Sequence, residues 1–296
     1  MAMQIDLFEL REEAIGAAVE SGELPRIREL IARGAHFYCG HSGGKDSQAM
    51  YIYLRELVPA DQLHVIHADL GDVEWTGVKD HIRANIDGRE LLIAQAVHND
   101  GSRKDLFSAI RARRVFLDTP SAKHPDARRD TPAFPSGSAR FCTSDLKTGP
   151  IWTVIRRTGH RLVVNCCGIR AGESPARKEK LRTKGALRIN ATNTNGARDA
   201  FDWWPLAHWN CRTDQGFRPS MKDDIFDTIR DAGQQPHPQY AAGNERLSCV
   251  FCIFGSPNDL RNGAAQRPEL AARYAQLERD VRGTMFHTES LADRLS

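Results

Sequence analysis

The 296-residue sequence predicts an α/β fold: a doubly wound parallel sheet with a C-terminal cysteine-bearing subregion. Two observations carry this expectation. Short apolar runs alternate with amphipathic stretches of helical period, and a glycine turn joins the first run to the stretch after it. Residues 6–33 read as one or two helices broken at Gly22 and Pro25. The run 35–39 reads as a first strand, 46–57 as a helix, 63–68 as a second strand and 75–86 as a helix. Residues 90–97 give a third strand and 104–113 a third helix. Such alternation predicts parallel pairing with helices on both faces. The rhythm stops at 118–140, which holds four prolines and many charges. A loop of that length inside a domain is usually functional or mobile. Beyond it, 146–157 reads as a helix, 161–167 as a buried strand, 171–200 as polar and irregular, and 201–206 as a last strand. A helix over 221–232 opened by Ser220, a loop-like stretch over 236–266 and a helix over 267–282 complete the chain. The expected division is a helical segment over 1–34, a main domain over 35–210 and a cysteine-bearing, helical region over 211–296.

Hydrophobic residues make up 41% and charged residues 27%, the balance of an ordinary globular protein long enough to bury a core without staples. No apolar run is long enough to cross a bilayer. The N-terminus, MAMQIDLFELREEAIGAAVESGEL, lacks the basic start and apolar core of a signal peptide. A cytoplasmic protein with no membrane partner is expected. In that reducing compartment the seven cysteines are free thiols, metal ligands or catalytic groups rather than a disulfide framework. The net charge is only +3, yet basic residues gather at 103–129 and again at 170–188. Such runs form either solvated faces or a surface for a polyanion, and here the two are expected to form one positive rim around the ligand pocket.

The segment Phe37-Tyr38-Cys39-Gly40-His41-Ser42-Gly43-Gly44-Lys45-Asp46-Ser47 joins the first strand to a helix. Gly43 and Gly44 let the backbone turn its amides toward a ligand. The helix aims its positive end at the same place, Lys45 adds a charge, and Ser42 and Ser47 add hydroxyls. A phosphate group fits this description. A Walker A loop it is not: Cys39 stands where that motif needs glycine, and Asp46 where it needs Ser or Thr.

With these residues in view, the loop resembles the PP-loop of N-type ATP pyrophosphatases of the adenine-nucleotide α-hydrolase fold. Further segments resemble the phosphoadenosine phosphosulfate (PAPS) reductase branch: Cys142 with Lys147, the stretch from Gly168 through Arg170, Glu173 and Ser174 to Arg177, and His237-Pro238-Gln239-Tyr240 followed by Cys249-Val250-Phe251-Cys252. The resemblance covers roughly residues 35–265. Sulfonucleotide reductases lack the Lys-Asp pair of the loop and carry a catalytic cysteine in a C-terminal tail. This sequence keeps Lys45 and Asp46, and its last cysteine is Cys252. It is therefore more similar to members that consume ATP, such as tRNA thiolation enzymes and the ATP pyrophosphatase subunit of DNA phosphorothioation systems.

The resemblance implies an ATP-dependent enzyme that forms AMP and pyrophosphate and transfers sulfur, with nucleic acid (DNA or tRNA) as acceptor and a sulfur-donor protein as partner. The alternatives are a PAPS-reductase-like oxidoreductase and an ATP-binding regulatory subunit. Lys45, Asp46 and Arg170 are the catalytic candidates. Ser42, Gly43, Gly44, Lys45, Asp46, Ser47, Gly168, Arg170 and Arg177 are expected around ATP. Asp69, at the end of the second strand, is either a ligand of nucleotide-bound Mg2+ or a turn cap. Glu173 is read as orienting Arg170 rather than acting as a base. Cys249 and Cys252 form one Cys-x-x-Cys pair, where zinc commonly takes two and nothing thioredoxin-like surrounds it. Plain thiols remain open beside the 4Fe-4S cluster that the resemblance implies, held by Cys142, Cys249 and Cys252 with a fourth position open or taken by Cys211. Cys39, Cys166 and Cys167 read as core, as do Trp203, Trp204 and Trp209. His237 is either a loop hydrogen-bonder or a cluster neighbour.

Overall fold

The computed structural model describes residues 23–128, 130–207, 221–286 and 288–296, without the side chains of 221–224. Most of the helix expected over 6–33, together with Arg129, Trp209, Cys211 and Ser220, lies outside these residues. What is described of that helix is α1, Glu23–Ala32, with Pro25 in its first turn, where a missing N–H breaks no helical bond.

Strand β1, His36–Gly40, leads into α2, Lys45–Leu57, and β2, Leu63–Ala68, into α3, Val78–Ala84. Then follow β3, Leu91–Ala94, and α4, Leu106–Asp118. After the proline-rich loop come α5, Gly149–Arg157, β4, Leu162–Cys166, α6, Pro175–Lys184, β5, Leu187–Ile189, and β6, Asp199–Trp203. Helices α7, Met221–Asp231, α8, Pro257–Gln266, α9, Pro268–Asp280, and α10, Leu291–Leu295, complete the order. The six strands lie in the order β3-β2-β1-β4-β6-β5, parallel except for the β5–β6 pair. Side-chain alternation divides the core. Phe37, Cys39, Val65, Val164 and Cys166 face α2, whereas Tyr38, Ile66, Val163 and Ala200 pack on Trp152 and Ile155 of α5. The chain winds from β1 out to β3 and returns to β4 on the other side of β1. The switch point therefore lies between β1 and β4, where open α/β sheets bind ligands.

Several expectations need correction. Residues 171–200 are not irregular: Ser174 caps α6 by accepting from Arg177 N, and Pro175 opens it. The helix was hidden because Leu181 is its one buried residue. The antiparallel strand β5 is only three residues long, too short to read. Residues 236–266 are not all loop, since Ser256 caps α8 in a reciprocal box with Asp259. Residues 146–157 are not one regular helix: Ser144–Thr148 form a π-helical turn before α5. The proline-rich loop is pinned from within. Buried Arg114 pairs with Asp118 at 2.8 Å and donates to the carbonyls of Thr131 and Arg128.

Candidate active site

The loop after β1 holds its own shape. Gly43 takes φ +80°, where a side chain would be strained and its Cβ would stand 3.0 Å from Val78. Gly43 N donates to His41 Nδ1 at 3.0 Å, Ser42 N donates to Ser47 Oγ at 3.1 Å, and Ser47 Oγ–H donates to Gly44 O at 2.8 Å. Burial drives the His41 pKa down to about 3, with His81 and His67 adding to the effect, so the ring is a neutral acceptor for Gly43. Lys45 N, at the start of α2, donates to the Tyr240 hydroxyl at 2.9 Å. Its Nζ donates to Glu245 O at 3.2 Å and stands 5.2 Å from the centre of the Tyr240 ring. The segment 240–247 thus lies across the phosphate loop.

A second arm reaches the loop from the end of β4. Gly168 approaches so closely that a Cβ would meet Asp46 O at 3.1 Å and Ser47 N at 3.3 Å. Arg170, 5% exposed, brings Nε to 2.7 Å from Asp46 Oδ1, and its buried Nη1 has no hydrogen-bond partner among the described residues. A buried guanidinium with a donor to spare beside a phosphate-type loop suits an anionic ligand. Glu173 accepts from Arg170 N at 2.9 Å and pairs with Arg177. It orders both arginines, holding Arg170 by its backbone rather than by its guanidinium.

Lys45, Asp46 and Ser47 share one cleft of about 440 Å³ with Cys142, Cys249, Cys252, Lys147, Gly168 and Arg177. The π-helical turn brings Lys147 to the same wall as Cys142, a placement typical of such turns at functional sites. Burial pushes the Cys249 thiol up to about 12, Lys147 opposing and Cys252, Glu74 and Cys142 adding. Cys142 is raised as well, chiefly by burial. For Lys147, burial pulls the pKa down, but Cys249, Cys252, Cys142 and Glu74 outweigh it and raise the value. As bare thiols, Cys142 and Cys249 are protonated at neutral pH and poor nucleophiles.

The three sulfurs do not all lie within 4.8 Å of one another; among the described residues only one group of potential metal ligands is that tight, and it is a different one. Tetrahedral zinc would hold its sulfurs roughly 3.8 Å apart, from Zn–S bonds of about 2.3 Å. The three thiols are therefore not gathered as for one zinc ion. They are the donor type that an iron–sulfur group takes, and Cys211, the other candidate ligand, lies outside the described residues.

Asp69 does not line the cleft, although its neighbours Ala68 and Leu70 do. Its carboxylate accepts from Gly71 N at 2.9 Å and pairs with Lys79 at 3.0 Å and Arg103 at 2.7 Å. It is the turn cap, and a Mg2+ ligand role does not fit a carboxylate already surrounded by cations. His237 accepts from Gln239 N and stacks edge-on to His81, which makes it a loop hydrogen-bonder. Trp203, Trp204, Cys39 and Cys166 are core, but Cys167 lines the cleft. Sequence reasoning gave no role to His41, Glu74 or Arg140, all of which line it. His41 sits inside the loop motif and its position was the available signal.

The two basic segments do not ring the cleft: of their basic residues, Arg177 alone among those described lines it. Arg111 pairs with Asp280, Arg113 and Arg128 lie over Phe141 and Phe116, and Lys180 and Arg188 lie over Trp204. The cations on the cleft are Lys45, Arg140, Lys147, Arg177 and Arg246. Arg140 stacks 4.4 Å over Phe254, and Arg246 donates to Phe254 O.

No known family profile and no curated protein matches the sequence. Among solved structures, the fold is similar to the crystal structure of phosphoadenylyl-sulfate (PAPS) reductase from Candida auris in its phosphate complex. The TM-score is 0.44 and the identity 13%, over 84% of this chain and 97% of that one. Function is accordingly read from the geometry of the cleft.

Proposed function

We propose that this protein is an adenylating enzyme that cleaves ATP between the α and β phosphates and hands the activated acceptor to a sulfur nucleophile. The observation that carries this reading is the single cleft in which the phosphate loop and Lys45 meet Cys142, Cys249, Cys252 and Lys147. In this reading the β and γ phosphates occupy the loop. An acceptor oxygen attacks the α phosphorus, the bond to the bridging oxygen breaks, and pyrophosphate leaves. Lys45 opposes the charge that develops on the leaving group, and Arg170, buried behind the loop against Asp46, adds its charge from outside the cleft lining. A sulfur nucleophile then bonds the acceptor atom as its bond to oxygen breaks and AMP departs. A 4Fe-4S cluster on Cys142, Cys249 and Cys252 would supply a site for holding sulfur near the acceptor. Mg2+ would travel with the nucleotide, and no protein ligand is assigned to it.

The acceptor we propose is nucleic acid. Phe254 is 40% exposed on the cleft wall, with Arg140 over one face of its ring and Arg246 donating to its main-chain carbonyl. A partly accessible aromatic ring with two arginines nearby suits a base and its phosphates.

The deciding experiment is anaerobic turnover of labelled ATP with and without DNA or tRNA, resolving AMP, ADP, pyrophosphate and orthophosphate. AMP and pyrophosphate, increased by nucleic acid, are expected. ADP and orthophosphate would overturn the reading. Sulfite formed from PAPS, with no ATP cleavage, would move the protein to the reductase class.

A further inference from the structure

Away from the cleft, three histidines meet at the opposite end of the sheet. His36 opens β1, His64 is the second residue of β2, and His160 stands two residues before β4. Because β2, β1 and β4 are neighbours and parallel, their N-terminal ends bring the three side chains together. One ring nitrogen from each lies within 4.8 Å of the others, the only such group of three or more His, Cys, Asp or Glu among the described residues. His36 Nδ1 and His64 Nε2 are 2.9 Å apart. Two imidazole nitrogens bound to one ion at about 2.0–2.1 Å stand roughly 3 Å apart. All three rings are half-buried, so an ion has access.

A fixed hydrogen-bond chain prepares the third ring. Thr158 O–H donates to Ile155 O at 2.8 Å, and Tyr38 O–H donates to Thr158 Oγ1 at 2.9 Å. The Tyr38 oxygen, 2.7 Å from His160 Nδ1, must therefore accept, which puts the proton on Nδ1 and the lone pair on Nε2. A buried partner that fixes the tautomer in this way is a recurring feature of metal-binding histidines. His36 and His160 stack at 3.4 Å with an angle of 8° between their planes. Closing on one ion requires the rings to fan apart by rotation about χ2, a soft torsion. Around the cluster, Asp61 is the acidic group near His36, Arg89 the cation near His64, and Arg198 the cation near Tyr38. Arg89 is held by the carbonyls of Ala60 and Leu63.

We propose that His36, His64 and His160 form a site for one divalent transition-metal ion of the nitrogen-preferring class (Zn2+, Co2+, Ni2+ or Cu2+), with three imidazole ligands and the remaining positions left to water. The site is independent of the cysteines and of the proposed reaction. An ion there would tie together the starts of three central strands.

The test is titration of the full chain with Co2+ alone, followed by visible absorption. One equivalent should bind without a thiolate-to-cobalt charge-transfer band, and should still bind when Cys142, Cys249 and Cys252 are all replaced by serine. His64→Gln and His160→Gln, each checked for folding by its Tm without metal, should weaken that binding at least tenfold. Zn2+ should raise the Tm of the wild type and not that of either variant. A measurement that needs no variant is peptide mapping after diethylpyrocarbonate treatment, in which Zn2+ should protect His36, His64 and His160 together. Unchanged Co2+ affinity in the histidine variants would overturn the proposal, as would Zn2+ failing to protect these histidines. The cluster would then be a neutral hydrogen-bonded array only.

Discussion

Lys45 is 6% exposed, and its surroundings explain how a cation is kept there: a carbonyl at 3.2 Å, an aromatic face and the Asp46 carboxylate at 3.9 Å. Lys45→Ala should lower pyrophosphate release about a hundredfold or more while the protein stays folded, as expected when a charge at a transferring phosphate is removed. Release at the wild-type rate would remove Lys45 from the reaction. His41 gives a test by pH. Its folded-state pKa is depressed from 6.5 to about 3, so the unfolded chain binds the proton first as pH falls. The stability His41 contributes is complete above 6.5 and is lost progressively as pH drops toward 3. His64 and His237, each lowered to about 4, slope the same way, so the informative quantity is a difference. In His41→Asn an amide oxygen can accept from Gly43 without titrating, and denaturant unfolding across this window should show a shallower fall than in the wild type. At this scale the sequence made Lys45 legible, because glycines, lysine and helix follow one another. It did not show that Tyr240, far along the chain, returns to cap Lys45 N, since no spacing rule encodes that contact.

Two elements converge on the phosphate loop, and each can be perturbed separately. The turn after β4 is held at contact distance by Gly168. In Gly168→Ala the new Cβ meets backbone atoms of Asp46 and Ser47 at 3.1–3.3 Å, so one element must shift. A stability loss of about 1–3 kcal/mol, the usual range for overpacking, is expected from denaturant midpoints, with weaker ATP binding by calorimetry. The second element is the cysteine segment, seated on α8. A Cβ on Gly263 of that helix would lie 2.9 Å from Val250, between the two cysteines. Protein prepared without oxygen should contain iron and labile sulfide, and Cys142→Ser, Cys249→Ser and Cys252→Ser should each lower the iron content. Cys166→Ser, in a core strand, should leave it unchanged. Absence of both iron and sulfide from the wild type would remove the cluster. The parallel strands were legible because they are buried on both faces and read as apolar runs. Helices α6 and α8 were not: one buries only Leu181, the other only Asp259, Leu260 and Gly263, and neither presents an apolar stripe.

Across the whole molecule, charge is distributed differently from what the sequence suggests. The basic runs at 103–129 and 170–188 are mostly paired with carboxylates or laid over aromatic rings, as ordinary solvated faces are. Linear charge counts cannot show this, because partners such as Asp280 and Trp204 lie far away in sequence. No helix among the described residues is long and apolar enough to cross a membrane. Of the cleft's cations, Arg140 and Arg246 stand beside Phe254 and come from outside both runs. An acceptor nucleic acid would therefore engage a compact patch rather than a broad basic rim. Each phosphate neutralised releases counterions, so binding should weaken as salt rises, with a logarithmic slope proportional to the number of contacts. A patch of two arginines predicts a shallow slope, near −2 for duplex DNA and somewhat less for single strands, at about 0.7–0.9 per phosphate. The joint variant Arg140→Ala and Arg246→Ala should remove most of that slope. Phe254→Ala should weaken binding by about 1–3 kcal/mol with the slope unchanged, because stacking releases no counterions. Charge reversal at Arg111 and Arg113 should leave the slope largely intact. Fluorescence anisotropy of labelled DNA and tRNA across a salt series measures all four proteins alike. If only the Arg111 and Arg113 reversal flattens the slope, the acceptor docks on α4 and not at the cleft mouth. If the wild type binds neither nucleic acid at low salt with ATP present, the acceptor is a small metabolite.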